Sequence, residues 1–457
     1  MITQFSVANF KSIKNKVTID LKPITILCGA NSSGKSAIIK ALMLLKQTID
    51  SRDLANAVSL EGPYQISKRS RDLLYLGGKT GTNIQYEFHI GGDRKRQIGT
   101  IQFHIQTIDN ARQGKDNEIS EFRVEDTYGH YVKFSKKGTL SNLDSNVSFV
   151  RSIFDIPSHS KVDWNQFVVG FRNFLPAYLE RRKGSTFERR IPFFVFDYES
   201  PDKPRPELNE TLSVFEKALW SISYLGPLRA SPQIAYLQFS QSTGVLDDSG
   251  ANAAQVFWRY EKDPVWFDGE RQELRVALRK AFNLLGMKGA VSVRHSGILY
   301  SLKVSIARNT KVPISEVGFG LSQSFPVLLN GLLAKQGSLV IFEQPEIHLH
   351  PAWKANLADV FIALAKDDRQ LLIETHSTEL IDKLRLRIIE DPSLKSLVNI
   401  VFVEQEDVAT SGTTVRTIEI DSMGVPSEWP KGFCDQTNDL AQKIISARAN
   451  RIERARK

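Results

Sequence analysis

The stretch from Ile24 to Leu45, ITILCGANSSGKSAIIKALMLL, limits what this chain can fold into more than any other. It opens with a short apolar run, Ile24 to Cys28, in which Ile24, Thr25 and Ile26 are β-branched, as in a buried strand. Gly29, Ala30, Asn31, Ser32, Ser33, Gly34, Lys35 and Ser36 then fit G-x-x-x-x-G-K-[ST], and Ala37 to Leu45 carries apolar residues at helical spacing. Strand, glycine-rich loop and helix in that order turn the pattern from a string match into a phosphate site. The glycines let the loop's N–H groups converge on phosphate oxygens, and the helix start at Ala37 adds its positive end. Lys35 is placed to reach the β- and γ-phosphates, and the Ser36 hydroxyl to hold Mg²⁺. A nucleotide-binding α/β core is therefore the first expectation.

With 457 residues, 41% of them apolar and 24% charged, the chain has the composition of a globular protein of two or three domains. No apolar run is long enough to span a bilayer, and Met1 leads directly into a strand-like segment without a signal peptide. Two cysteines, Cys28 and Cys434, make neither a disulfide framework nor a zinc cluster and suit a reducing cytoplasm. A formal charge of +9 is modest for this length: it permits nucleic-acid contact without demonstrating it.

In chain order, ITQFSVANF, KVTIDL and ITILC read as strands. Asn83–Ile90 and Gly99–Ile108 alternate as a hairpin, and Gln65 stands in the loop before them. Residues 110–220 mix short strands (EFRVEDT, HYVKFS) with aromatic-rich stretches expected to be helical, WNQFVVGFRNFLPAYLERR among them. YLGPLRASP, residues 224–232, resumes the core as a strand broken by Gly and Pro, with Arg229 at its exit in a structural salt bridge. Residues 251–286 read as helical, and Val291–Arg308 as a hairpin.

Three elements form the second half of a site. Gly320, Ser322 and Gln323 precede an apolar helix, where loop N–H groups and a hydroxyl offer a second anion site. The apolar run Leu339–Phe342 ends in Glu343, followed by Gln344, Pro345 and Glu346. Ligands bind at the C-terminal ends of parallel strands, and a carboxylate there suits Mg²⁺. Leu371–Ile373 ends in Glu374, Thr375, His376 and Ser377, with His376 as the candidate sensor of the γ-phosphate that orients the attacking water.

These motifs resemble an ATP-binding-cassette (ABC) ATPase of the RecF/SMC/OLD-like branch. In particular the chain is similar to bacterial AAA-family ATPases with an EQPEIHLHP run (Glu343–Pro351), an ETHS strand end (Glu374–Ser377) and a terminal WPxGF segment, here Trp429–Phe433. YLGPLR and VGFGLSQ also fit. The resemblance covers roughly residues 1–90 and 221–435. It implies an ABC-type P-loop head, a mixed sheet flanked by helices, with an inserted mixed α/β or mostly helical domain. The expected boundaries are 1–109, N-terminal ATPase lobe; 110–220, inserted domain; 221–437, C-terminal lobe; and 438–457, basic C-terminal helix.

The resemblance further implies ATP and Mg²⁺ as cofactors and a head-to-tail homodimer or higher assembly. Each ATP would lie between the phosphate loop of one copy and Gly320, Ser322 and Gln323 of the other. Ser36 and Glu343 would be on the metal, with Glu343, Gln344, Glu346 and His376 in catalysis. Most relatives carry Asp-Glu where this chain has Glu343-Gln344, and a glutamine orients water but accepts no proton. Glu346 is therefore the candidate base, with capping of the following helix as its other role. His348 and His350 are expected at the dimer interface. Such relatives act in genome maintenance or as sensor ATPases of antiphage systems such as Septu or PARIS, controlling a separate effector, commonly a nuclease. A RecF-like DNA clamp and a non-hydrolysing ATP-gated scaffold are the alternatives. VFVEQED (Val401–Asp407) faintly resembles the start of a TOPRIM nuclease, but no later paired aspartates follow, so no in-chain nuclease is expected.

Overall fold

The structure is a computed structural model that describes residues 1–51, 56–79, 81–92, 97–110, 115–129, 131–135, 144–145, 167–172, 174–183, 186–192, 206–238, 245–307, 310–405, 412–429 and 443–448. At its centre lies a six-stranded sheet in the order Ser223–Leu225, Leu339–Glu343, Gln370–Glu374, Ile24–Cys28, Val398–Gln405, Thr413–Ile418. The first five strands are parallel and the last is antiparallel. Every residue of Ile24–Cys28, Leu339–Glu343 and Gln370–Glu374 is buried. That burial on both faces is why these strands are written as continuous apolar runs.

Successive residues of a strand face opposite sides, so each strand serves two cores. Leu339 and Ile341 pack in the cluster that holds the helix Lys35–Asp50, whereas Val340 and Phe342 pack with the helices Phe319–Leu333, Pro351–Lys366 and Thr378–Glu390. The α/β class expected from the sequence, a mixed sheet flanked by helices, is the fold the chain adopts. Among the described residues, no helix is long and apolar enough to cross a membrane.

A second, seven-stranded antiparallel sheet runs Val17–Asp20, Ile2–Ala8, Asn83–Gly91, Gln97–Asn110, Lys115–Asp126, Tyr131–Ser135, Asp144–Ser145. Its buried face is aromatic. Phe103 stacks on Tyr86 at 5.1 Å and on Phe174 at 5.2 Å, and Phe88 meets Phe215 of the helix Pro206–Trp220 at 4.8 Å. Each such pair adds about 0.5–1.5 kcal/mol beyond area burial.

Two expectations are corrected. The stretch around residues 164–182, expected to be helical, is strand where it is described: Phe167–Arg172 pairs antiparallel with Leu175–Lys183, which pairs with Thr186–Pro192. Val168 and Val169 favour the pleated surface, and Pro176 lacks the amide a helix interior needs. The helical reading of 251–286 holds for Ala253–Tyr260 and Leu274–Leu285 only. Between them Pro264–Phe267 and Glu270–Glu273 form a hairpin that turns at Asp268 and Gly269, with φ of 57° and 77°.

Candidate active site at the phosphate loop

The sheet register brings the site together. Glu343 pairs with Glu374, and Glu374 pairs with Leu27, two residues before the loop begins. The loop leaves the sheet at Gly29 with φ 142°, passes through Ser32 at 62° and enters the helix Lys35–Asp50 at Gly34 with φ 109°. At Gly29 a Cβ would stand 2.1 Å from the Val403 carbonyl oxygen, and at Gly34 it would stand 2.1 Å from Thr413 Oγ1. Only glycine fits either position. These positive φ values turn successive N–H groups into an anion-binding concavity. No side chain caps the helix that follows, so its first amides face the loop.

Lys35 is 3% exposed, and its Nζ donates to the carbonyl oxygens of Gly29 (3.1 Å) and Ala30 (2.7 Å). Burial pulls its pKa down and nearby Glu374 opposes that. The Ser36 hydroxyl donates to Glu374 Oε2 at 3.2 Å. Burial, then the neighbouring Glu343, push the Glu374 carboxyl up to about 7. Burial also raises Glu343, against the Tyr224 hydroxyl, which donates to Glu343 Oε1 at 2.8 Å.

Gln344 adopts φ 46°, and its N–H donates to the Glu374 carbonyl oxygen at 2.7 Å. Arg229, buried beside it, donates through NH2 to the carbonyl oxygens of Glu343 (3.1 Å) and Gln344 (2.9 Å). The salt bridge expected of Arg229 is not formed among the described residues; its hydrogen bonds run to main-chain carbonyls instead. Glu346 Oε1 accepts the His376 N–H at 2.9 Å, while its Oε2 is buried with no partner among the described residues. Glu346 does not cap the next helix. His350 does, its Nδ1 accepting the Ala352 N–H at 3.3 Å. Burial, then Lys35, lower the His376 imidazole pKa.

These groups border a cleft of about 280 Å³ lined by Ser12, Asn31, Ser32, Gly34, Lys35, Ser36, Ala37, Gln344, Glu374 and His376. Of the residues singled out from sequence, it gathers the loop, Gln344 and His376. Glu343 and Glu346 are buried but are not among its lining. Ala30 and Ser33 line an adjoining cleft of about 600 Å³ with Phe402, Arg416 and Trp429, among others. Gly320, Ser322 and Gln323 do not line the loop cleft in the same copy. Ser322 Oγ donates to the Phe319 carbonyl oxygen at 2.7 Å, and Gln323 Nε2 donates to that of Ala230 at 3.3 Å. Expected in a loop before the helix, Gly320, Ser322 and Gln323 instead lie buried within Phe319–Leu333; the exposed residues at its start are Gly318 and Phe319, with Phe319 edge-on to exposed His348 at 4.9 Å. Gln65 is exposed and does not line the cleft.

Sequence reasoning missed Glu374, Tyr224 and Ser12 as site residues. Glu374 carried a readable signal, since it ends an apolar strand just as Glu343 does. Beyond Trp429, the WPxGF segment, Cys434 and most of the basic C-terminal segment lie outside the described residues, and residues 443–448 are helical and exposed.

The site fits a magnesium-bound nucleotide. The loop's concavity admits no side chain at Gly29 or Gly34, Ser33 Oγ is buried without a partner among the described residues, and Ser36 with Glu374 supplies hard oxygen donors. Tyr224→Phe should lower stability by about 1 kcal/mol through loss of its hydrogen bond to Glu343, read by chemical denaturation. An unchanged midpoint would mean the bond does not form in solution.

Residues 395–444 match the family described as "Protein of unknown function (DUF3696)". No curated protein matches the chain. Among solved structures, the chain is similar to an SmcHead bound to the C-winged helix domain of ScpA, with 13% identity, TM-score 0.45, and coverage of 92% of this chain and 97% of that one. It is also similar to the SMC head domain from Thermotoga maritima, with 10% identity, TM-score 0.41, and coverage of 92% and 99%. A third is the Pyrococcus furiosus Smc head with an extended coiled coil bound to the C-terminal domain of ScpA, with 12% identity, TM-score 0.39, and coverage of 97% and 99%. Residues 24–382, well over half of the chain, match the family described as "AAA domain, putative AbiEii toxin, Type IV TA system", and the chain belongs to that AAA-domain family.

Proposed function

We propose that the chain binds and hydrolyses ATP as a nucleotide-gated switch of the ABC/SMC-like kind. The observation that carries this reading is the single cleft that unites the phosphate loop, Gln344, Glu374 and His376. Lys35 holds the β- and γ-phosphates once they displace its bonds to the loop carbonyls. Ser36, with a carboxylate from the strand ends, would hold Mg²⁺, which when bound would neutralise phosphate charge. Gln344 and His376 orient a water. As its oxygen bonds to the γ-phosphorus and the bond to the ADP oxygen breaks, Glu346 accepts the water's proton.

Two copies close head to tail over ATP, each supplying Gly320, Ser322 and Gln323 to the other's nucleotide. ATP then has a large differential affinity for the closed state, which is what a switch requires. The expected lobes, 1–109 and 221–437, together form the head, with 110–220 inserted and 438–457 as a basic tail. Gln344, at the position where relatives carry a base, favours slow turnover and a long-lived closed state. We place this switch in the bacterial cytoplasm as the sensor ATPase of an antiphage defence system that controls a separate nuclease effector. The toxin–antitoxin wording of the family description supports a setting of that kind.

The test is ATP turnover by the purified chain, with its size by light scattering, with and without DNA. The expected result is ATP-dependent dimerisation with turnover below about 1 s⁻¹, the low end of enzyme rates. Turnover stimulated by DNA assigns DNA as the trigger, and turnover indifferent to DNA assigns a protein trigger. A copy that stays single and hydrolyses nothing at saturating ATP would overturn the switch.

A further inference from the structure

We propose that Glu374, rather than Glu343, is the carboxylate that completes the divalent-cation site with Ser36. This rests on the reading of the cleft as an ATP site. The strand Gln370–Glu374 lies between the phosphate-loop strand and the strand that carries Glu343. Glu374 is therefore one strand spacing, about 4.8 Å, nearer to the loop. Its Oε2 already accepts the Ser36 hydroxyl at 3.2 Å, and it lines the cleft beside Lys35, Gln344 and His376.

Glu343 is set back. It is not among the cleft's lining, its Oε1 accepts the Tyr224 hydroxyl at 2.8 Å, and its carboxyl neighbours that of Glu374 across the strand pair. A cation held by the Ser36 hydroxyl thus meets Glu374 first and Glu343 only through it. Glu343 and Tyr224 are then positioning residues, which hold the Glu374 carboxylate from behind. A hydroxyl and a carboxylate at this spacing are the hard oxygen donors that Mg²⁺ would take beside phosphate oxygens and waters. The chemistry also makes sense of the sequence. An acid one strand closer to the loop does the work that Glu343 would otherwise reach across to do.

The experiment is Mn²⁺ titration by electron paramagnetic resonance, on the full chain with a non-hydrolysable ATP analogue. Analogue binding in EDTA is measured alongside for the wild type, Glu374→Gln and Glu343→Gln. Glu374→Gln should weaken Mn²⁺ binding at least about 10-fold, whereas Glu343→Gln, which acts through it, should weaken it less. Metal-free analogue binding by each variant serves as its fold control. If Glu374→Gln fails to fold, Glu374→Asp, which keeps the charge but retracts it by one methylene, should show the loss. Unchanged Mn²⁺ affinity in the Glu374 variant, with loss in Glu343→Gln, would overturn the assignment and leave the ATP site standing. A wild type that binds no analogue would instead sink the ATP reading itself.

Discussion

Lys35→Ala should abolish ATP binding at micromolar concentrations while leaving the fold intact. Among the described residues, Lys35 is the lysine that lines the cleft. It now rests on the carbonyl oxygens of Gly29 and Ala30, a position from which it can turn to phosphate with a short swing. A charge-assisted hydrogen bond contributes about 1.5–3 kcal/mol. Loss of two, to the β- and γ-phosphates, corresponds to a weakening of at least about 100-fold. Fluorescent-nucleotide titration reads the affinity, and a melting curve checks the fold. Unchanged affinity in a folded variant would refute the phosphate-loop assignment.

Glu346→Gln should leave ATP bound and cut turnover by about 10²–10⁴-fold, the usual contribution of a general base. The substitution is selective because a glutamine oxygen still accepts the His376 N–H that Glu346 Oε1 accepts at 2.9 Å. What disappears is the carboxylate's charge, which faces Arg229 and Glu374, and with it the proton-accepting capacity of Oε2, which has no partner among the described residues. Single-turnover hydrolysis read beside nucleotide retention separates the two effects. Wild-type turnover in this variant would move the role to Gln344 with His376, and a loss of ATP binding would make Glu346 a structural brace for the His376 loop.

The parts of the site that were legible in the sequence are those that a strand and its exit determine locally. Ile24–Cys28 with Gly29 and Gly34 could be read because burial on both faces forces an apolar run, and the turn that follows admits no Cβ. The apolar strands ending at Glu343 and Glu374 could be read for the same reason. What could not be read is which strand lies beside the loop, because parallel neighbours are joined by distant crossovers and the sheet order is a long-range property. That order alone decides that Glu374 meets Ser36 while Glu343 meets Tyr224.

The two misread segments failed differently. Asp268-Gly269 between Pro264–Phe267 and Glu270–Glu273 is a hairpin signal in its own right, and helical periodicity on both sides masked it. Around residues 167–183, aromatic and leucine spacing suited either period, and Val168, Val169 and Pro176 were the residues that tipped it to strand. Arg229 shows a third kind of limit. Sequence gives a cation at the strand exit, but only the fold reveals that it clamps the main chain of Glu343 and Gln344.

The most direct test of the central claim is calorimetric titration of ATP into the wild-type chain, with Mg²⁺ and then with EDTA. The account predicts one ATP per chain and an affinity that falls when the metal is withdrawn. No binding at millimolar ATP under either condition would contradict it.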